Sequence, residues 1–294
     1  MSEVSIVTKV AAERITPKVG EKREEKKITP SSPIGIFDSG VGGLTVLKEV
    51  MRQLPHEDVV YLADNARVPY GGRPPEEIIK FNEEIITFLI NYGVKLIIMA
   101  CGTSSSIAYP VLKDRYPIYI ISLVEPGAKA AAKATRSGTI GIIATVGTVN
   151  SQAFQNALLA LNQNYKVLAQ ACPLFVPLIE GGFIEAEETK RVVKEYLKPL
   201  LKEKIDTLIL GCTHYPHLSK IIKEKAGPEV VLIDPAEEAV AETKKLLEKA
   251  GTLKSKLAPA KYEYLVTGSP TQFQELGSRL LGKVIPHAKF VKLV

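Results

Sequence analysis

The stretch IGIFDSGVGG (34–43) decides the fold. A short β-prone apolar run, Ile34–Phe37, ends on a carboxylate and a hydroxyl, Asp38 and Ser39. It then passes through a glycine-rich turn into the amphipathic pattern Thr45–Gln53. Strand, turn and helix in that order open a βαβ unit. Working outward, further apolar runs fall at Val59–Leu62, Lys95–Ala100, Ile118–Ile121, Thr139–Ile143, Thr207–Leu210 and Val230–Ile233. Helical patterns separate them, among them Pro75–Tyr92, Ser104–Lys113, Ala186–Leu201 and Ala236–Ala250. Continuous apolar strands alternating with helices predict parallel sheets covered on both faces, with function gathered at the carboxyl ends of the strands. The opening string also has an echo. IGIFDSGVG (34–42) resembles IGIIATVG (140–147), and LIIMAC (96–101) resembles LILGC (208–212), in the same order. Two similar halves would each place one cysteine at a strand end, facing each other across a cleft.

Length and composition bound the function. At roughly 150 residues per domain, 294 residues predict about two domains. No apolar run reaches the roughly 18 residues of a membrane span, and the N-terminus lacks the apolar core of a signal peptide. Three cysteines without a CxxC pair exclude a disulfide scaffold and make a poor metal site, so a reduced, cytoplasmic setting is expected. The net charge of +6 is spread thinly. Residues 1–30 carry seven Lys/Arg against five Glu, and no basic block interleaves with aromatics, which argues against nucleic-acid binding. Residues 1–32, with a mixed-charge run and Thr29-Pro-Ser-Ser-Pro33 at their end, are expected to form a disordered extension.

Five segments carry chemistry. Cys101 follows a buried strand and precedes Thr103–Ser106, a hydroxyl run suited to capping the next helix, where a thiol pKa is lowered. Its competing reading is a buried hydrophobe. Cys212 repeats the arrangement with Gly211 before it, Thr213 and His214 after it, and Pro216 suited to a helix start. Cys172 lacks polar company and reads as packing. DSGVGG (38–43) offers backbone N–H groups to an anion; it is neither a dinucleotide fingerprint nor a P-loop, and a substrate carboxylate fits it better. DNARVPYG (64–71) has the look of a binding loop, and PLFVPLIEGG (173–182) puts Glu180 after an apolar stretch, where burial would suit it to proton handling or where it simply starts a helix.

Together DSGVGG, ADNARVPYG (63–71), ACGTSSS (100–106), VEPG (124–127), PLFVPLIEGG and GCTHYPHL (211–218) resemble the glutamate racemases of the aspartate/glutamate racemase superfamily. The resemblance spans 34–294. It implies two pseudo-twofold-related α/β domains, 33–125 plus 230–294 and 126–229, each with a mainly parallel sheet flanked by helices, and an active site in the cleft between them. It further implies racemisation without cofactor or metal, with D-glutamate supplied to peptidoglycan, and a homodimer with no membrane partner. Cys101 would take the α-proton from D-glutamate and Cys212 from L-glutamate, with Asp38 assisting the first and Glu180 and His214 the second. Substrate contacts would fall to Asp38, Ser39, Tyr70, Gly71, Gly102, Thr103, Thr213 and His214. One departure stands out: the family has Asn after its first cysteine, and this chain has Gly102. Losing that amide predicts a weakened enzyme, and Gly102→Asn is expected to restore activity. Two rivals follow from the same residue, a racemase of aspartate or another small acid, and a racemase-like protein that only binds.

Overall fold

The computed structural model describes residues 28–255 and 259–293. The expected extension therefore lies mostly outside the described residues, which begin at Ile28.

Two parallel sheets form the body. The first contains β1 (Ile34–Asp38), β2 (Val59–Ala63), β3 (Leu96–Met99), β4 (Ile120–Ile121), β9 (Tyr262–Val266) and β10 (Lys289–Phe290), in the order β10-β9-β2-β1-β3-β4. The second contains β5 (Thr139–Ala144), β6 (Lys166–Ala171), β7 (Thr207–Leu210) and β8 (Val231–Ile233), in the order β6-β5-β7-β8. Strands β1, β2, β3 and β7 are buried along their whole length, as parallel strands covered by helices on both faces must be. The sequence reading placed 230–294 with the first half, but β8 pairs with β7, Thr207 opposite Val231. Strands β6, β9 and β10 escaped it. The first of these, KVLAQA, and the last, KF, lie at sheet edges and lack a continuous apolar run.

The echo in the sequence is a real symmetry of the backbone. In the first half the Ala100 N–H donates to Phe37 O and the Asp64 N–H to Asp38 O, at 2.8 and 2.9 Å. In the second the Gly211 N–H donates to Ile143 O and the Cys172 N–H to Ala144 O, again at 2.8 and 2.9 Å. Each cysteine thus leaves its sheet one residue past an equivalent hydrogen bond.

The helices begin and end where local chemistry dictates. Helix α1 (Leu44–Gln53) runs on from the glycine turn, and α2 (Pro75–Tyr92) starts with Pro at its first position, Glu76 and Glu77 in its first turn, and stops at Gly93 in the left-handed region. Between β3 and β5 lie α3 (Gly102–Ile107), α4 (Tyr109–Leu112) and α5 (Val124–Ala134). The second half adds α6 (Val146–Ser151), α7 (Ala153–Leu161), α8 (Phe175–Glu180), α9 (Glu187–Lys202) and α10 (Ser219–Ala226). Helix α11 (Pro235–Lys249) is capped by Asp234 and α12 (Pro270–Leu281) by Ser269. One apolar cluster runs without interruption from Ile36 and Leu47 of the first half through Val240 of α11 to Leu210 and Tyr215 of the second. No described helix is long and apolar enough to cross a membrane.

Pro30, within the segment expected to be an extension, is tied to the body by its carbonyl. Lys95, its side chain fully buried, forms an ion pair at 2.5 Å with the equally buried Glu57. It also donates to the carbonyls of Pro30 and Thr252, both at 2.8 Å, while Glu57 accepts the Lys254 N–H. This one charge pair ties the segment before β1, the turn before β2 and the segment after α11. Lys95→Met would strand the Glu57 carboxylate, and unfolding in urea should show a loss of about 3–5 kcal/mol; a change under about 1 kcal/mol would show that the pair holds nothing together.

Candidate active site

The carboxyl ends of the central strands of the two sheets meet at one buried junction. From the first half come Asp38 and Ser39 after β1 and Cys101 after β3; from the second come Cys212, Thr213 and His214 after β7. All are at least nine-tenths buried, Cys101 at 5% exposure and Cys212 at 7%. Glu180 joins them as the last residue of α8, not as a helix start.

On the first side, Asp38 Oδ2 accepts the backbone N–H groups of Gly40 and Gly43, at 3.0 and 3.1 Å, which folds the DSGVGG turn around its own carboxylate. Burial pushes the Asp38 pKa up, while the charge of His214 and the turn's N–H groups pull it back. Cys101 Sγ donates to Ser39 Oγ at 3.8 Å. Burial, and next the Asp38 carboxylate, push this thiol up to about 12, so it rests protonated; the N–H and hydroxyl of Ser104 act the other way. The hydroxyl run expected to cap α3 is instead its first turns, and Cys101 itself occupies the cap position. Ser105 pins the helix by donating to Met99 O and accepting the Leu123 N–H.

On the second side a relay is built from three groups. Cys212 Sγ lies 3.8 Å from His214 Nδ1, and His214 Nε2 lies 2.8 Å from Glu180 Oε1. Burial opposes a charge on His214, but the bonds to Cys212 and Glu180, with Asp38 nearby, overcome it and hold the pKa up to about 10. The ring is therefore an imidazolium at neutral pH. His217, three residues on, is driven the other way to about 4 by burial and by the charges of His214 and Lys48. Gly42 makes room for the charged ring: a Cβ there would stand 2.4 Å from His214 Nδ1. Cys172 packs in the core as expected, and its backbone carbonyl accepts the Tyr215 hydroxyl.

Tyr70 and Gly71 sit in a loop organised by the fully buried Asp64, which accepts the Tyr70 hydroxyl, Arg67 Nε at 2.7 Å and Thr267 Oγ1 at 2.7 Å. Burial and Asp64 hold the Tyr70 phenol far above its ordinary pKa, so it acts as a donor that fixes the loop. The Gly71 carbonyl accepts the Gly147 N–H at 2.8 Å, and Thr103 Oγ1 lies 3.1 Å from Thr145 Oγ1. Thr145, the cap of α6, thus closes the cleft from the second half, and the sequence reading missed it. The repeat held the signal, since Thr145 occupies in the second half the place of Ser39 in the first. Arg279 of α12, which donates to the Glu180 carbonyl, carried no local signal at all.

The expectation for Gly102→Asn meets an obstacle. A Cβ at 102 would stand 2.2 Å from the Gly211 carbonyl oxygen, so the space for an amide is already occupied by backbone.

The charge on His214 has a defined consequence for pH. Its folded pKa of about 10 lies above the ordinary 6.5, so its contribution to stability is complete below about 6.5 and is lost as pH rises toward 10. Glu180→Gln removes one of the two supports. The His214 ring titration, followed by proton NMR, should then move down from about 10; an unmoved titration would assign the whole shift to Cys212 and Asp38.

Residues 34–243 match the Asp/Glu/Hydantoin racemase family. A glutamate racemase of Geobacter metallireducens is 43% identical over 253 residues, which cover 86% of this chain and 94% of that protein. One from a Picosynechococcus species is 46% identical over 250 residues, covering 85% and 88%. Among solved structures, a glutamate racemase isoform of Bacillus anthracis is similar with a TM-score of 0.86 and 41% identity, over 89% of this chain and 98% of that one. The Francisella tularensis glutamate racemase in complex with D-glutamate gives 0.84 and 37%, over 90% and 98%. With the paired strand ends and the matched segment in agreement, the chain belongs to the Asp/Glu/Hydantoin racemase family.

Proposed function

We propose that this protein is a cofactor-independent glutamate racemase that supplies D-glutamate for peptidoglycan synthesis in the cytoplasm. The observation that carries the reading is the pair of cysteines at equivalent strand ends, enclosed in one cleft, each with its own acid–base company. A binding protein needs no such pair. Inverting an α-carbon needs a base on one face and an acid on the other, and two sulfurs from opposite halves answer that need.

In the L-to-D direction, the Cys212 thiolate, stabilised by the imidazolium of His214, takes the α-proton. The electron pair left on carbon takes the proton of the Cys101 thiol from the opposite face. Cys212 ends as a thiol and Cys101 as a thiolate, and the D-to-L reaction runs the transfers backward. Asp38 faces both Cys101 and His214, so the charge on each of these groups depends on the others. Asp38 adjusts the Cys101 side, and Glu180 holds the His214 ring in place. Ser39, Gly71, Thr103 and Thr213, with the backbone at Gly102, are the groups we assign to the substrate's carboxylates and ammonium. Tyr70 serves by fixing its loop. We further propose a homodimer, which light scattering on the purified protein tests directly.

The reaction is tested by proton NMR of L-glutamate in D₂O with no added cofactor. The α-proton signal should disappear while D-glutamate accumulates; exchange with aspartate alone would replace the substrate, and no exchange with either would overturn the reading. Cys101→Ser and Cys212→Ser should each lower turnover by roughly 10²–10⁴-fold, the range general acid–base groups supply. Wild-type turnover in either variant would remove that sulfur from the mechanism.

A further inference from the structure

Gly102 is where the two cysteine-bearing loops touch. A Cβ built on it would stand 2.2 Å from the Gly211 carbonyl oxygen, 3.2 Å from the carbonyl carbon and 3.5 Å from Cys212 Cα. All three atoms are backbone of the opposite half, on Cys212 and the residue before it. The oxygen is more than 1 Å inside ordinary van der Waals contact, which begins at 3.4 Å. It has little freedom to swing away: the Gly211 N–H is bonded to Ile143 O at 2.8 Å, and a Cβ at Gly211 would itself meet Ala144 Cβ at 3.0 Å. Gly102 is also an ordinary helical residue, the first of α3, and not one of the glycines with positive φ. Its missing Cβ therefore answers to the approach of the other half and not to any demand of its own backbone.

We propose that Gly102 is a positioning residue that sets the closing distance between the two cysteine loops, so that their spacing in the enclosed state rests on a backbone-to-backbone contact. The Gly211 carbonyl fills the space that an asparagine side chain would need. With any larger residue at 102, the halves could reach their present separation only by displacing a bonded strand end. The meaning of that separation for catalysis rests on the racemase reading; the contact does not. In proton transfer between fixed groups, a misplacement of about 1 Å can cost on the order of 10²-fold in rate.

The test compares Gly102→Ala and Gly102→Asn with the wild type by three measurements: glutamate racemisation in both directions, thermal melting, and hydrogen–deuterium exchange of segments 100–106 and 209–215. Alanine is the better helix former, which offsets part of the cost of the displaced contact, so the fold should survive with a modest fall in melting temperature. The expected result is a fall in kcat of roughly 10–100-fold for Gly102→Ala, a smaller change in KM, and faster exchange in both segments. Gly102→Asn should lose at least as much. Wild-type kcat with unchanged exchange in Gly102→Ala, or a Gly102→Asn variant faster than wild type, would overturn the proposal. Should the wild type fail to racemise glutamate while exchange still rises in both loops of Gly102→Ala, the closing role would stand and the racemase reading would fall.

Discussion

A positive charge buried between a sulfur and a carboxylate is the interaction on which the cleft depends. Water would ordinarily solvate an imidazolium, and here Cys212, Glu180 and Asp38 replace it. Each of those partners comes from a different strand end or helix end, so the charge is sustained only when the elements are assembled. Both halves also contribute to holding the ring. The glycine turn of the first half packs on it at Gly42, and Thr45 of α1 donates to the Thr213 carbonyl at 3.0 Å. On the opposite side, burial and Asp38 keep Cys101 protonated. The two cysteines thus have unlike surroundings, a carboxylate near one and the His214 ring beside the other, although the side chains are identical.

Enclosure follows from backbone as much as from side chains. The Gly147 N–H bonds to Gly71 O, Thr145 meets Thr103, and the Gly211 carbonyl rests on Gly102. Burial strengthens every electrostatic interaction in such a space.

Much of this was legible in the sequence because parallel strands announce themselves. Strands buried on both faces are continuous apolar runs, and Ile34–Phe37, Lys95–Ala100 and Thr207–Leu210 read as such. The cysteines, Asp38 and His214 were findable because each sits at the end of one of these runs. What stayed hidden depends on distant pairing. Strand β10 has only two residues and is exposed at an edge, so nothing but its partner β9 defines it. Helix α12 did carry local signals, Ser269-Pro270 at its start and Gly282 at its end, which the reading passed over. The contact of Glu180 with His214 is a fact of tertiary placement, whereas Thr145 was marked by the repeat. Gly102 shows the opposite failure: residue type was read as a lost amide, whereas its neighbours make it a gained contact.

The order of strands has a consequence for how the chain is made. β9 lies beside β2, yet the whole second sheet is translated between them. The bond from Thr267 to Asp64, which helps to hold the Tyr70 loop, spans 203 residues. Domains fold as they emerge from the ribosome, and the strands β5 to β8 emerge as an uninterrupted set. The first sheet cannot be completed until β9 and β10 have been synthesised, after the whole of the second sheet. A nascent chain therefore carries both cysteines, once Cys212 is made, before it carries the Thr267 anchor of the Tyr70 loop, and that loop is tied down only after the second sheet has been synthesised.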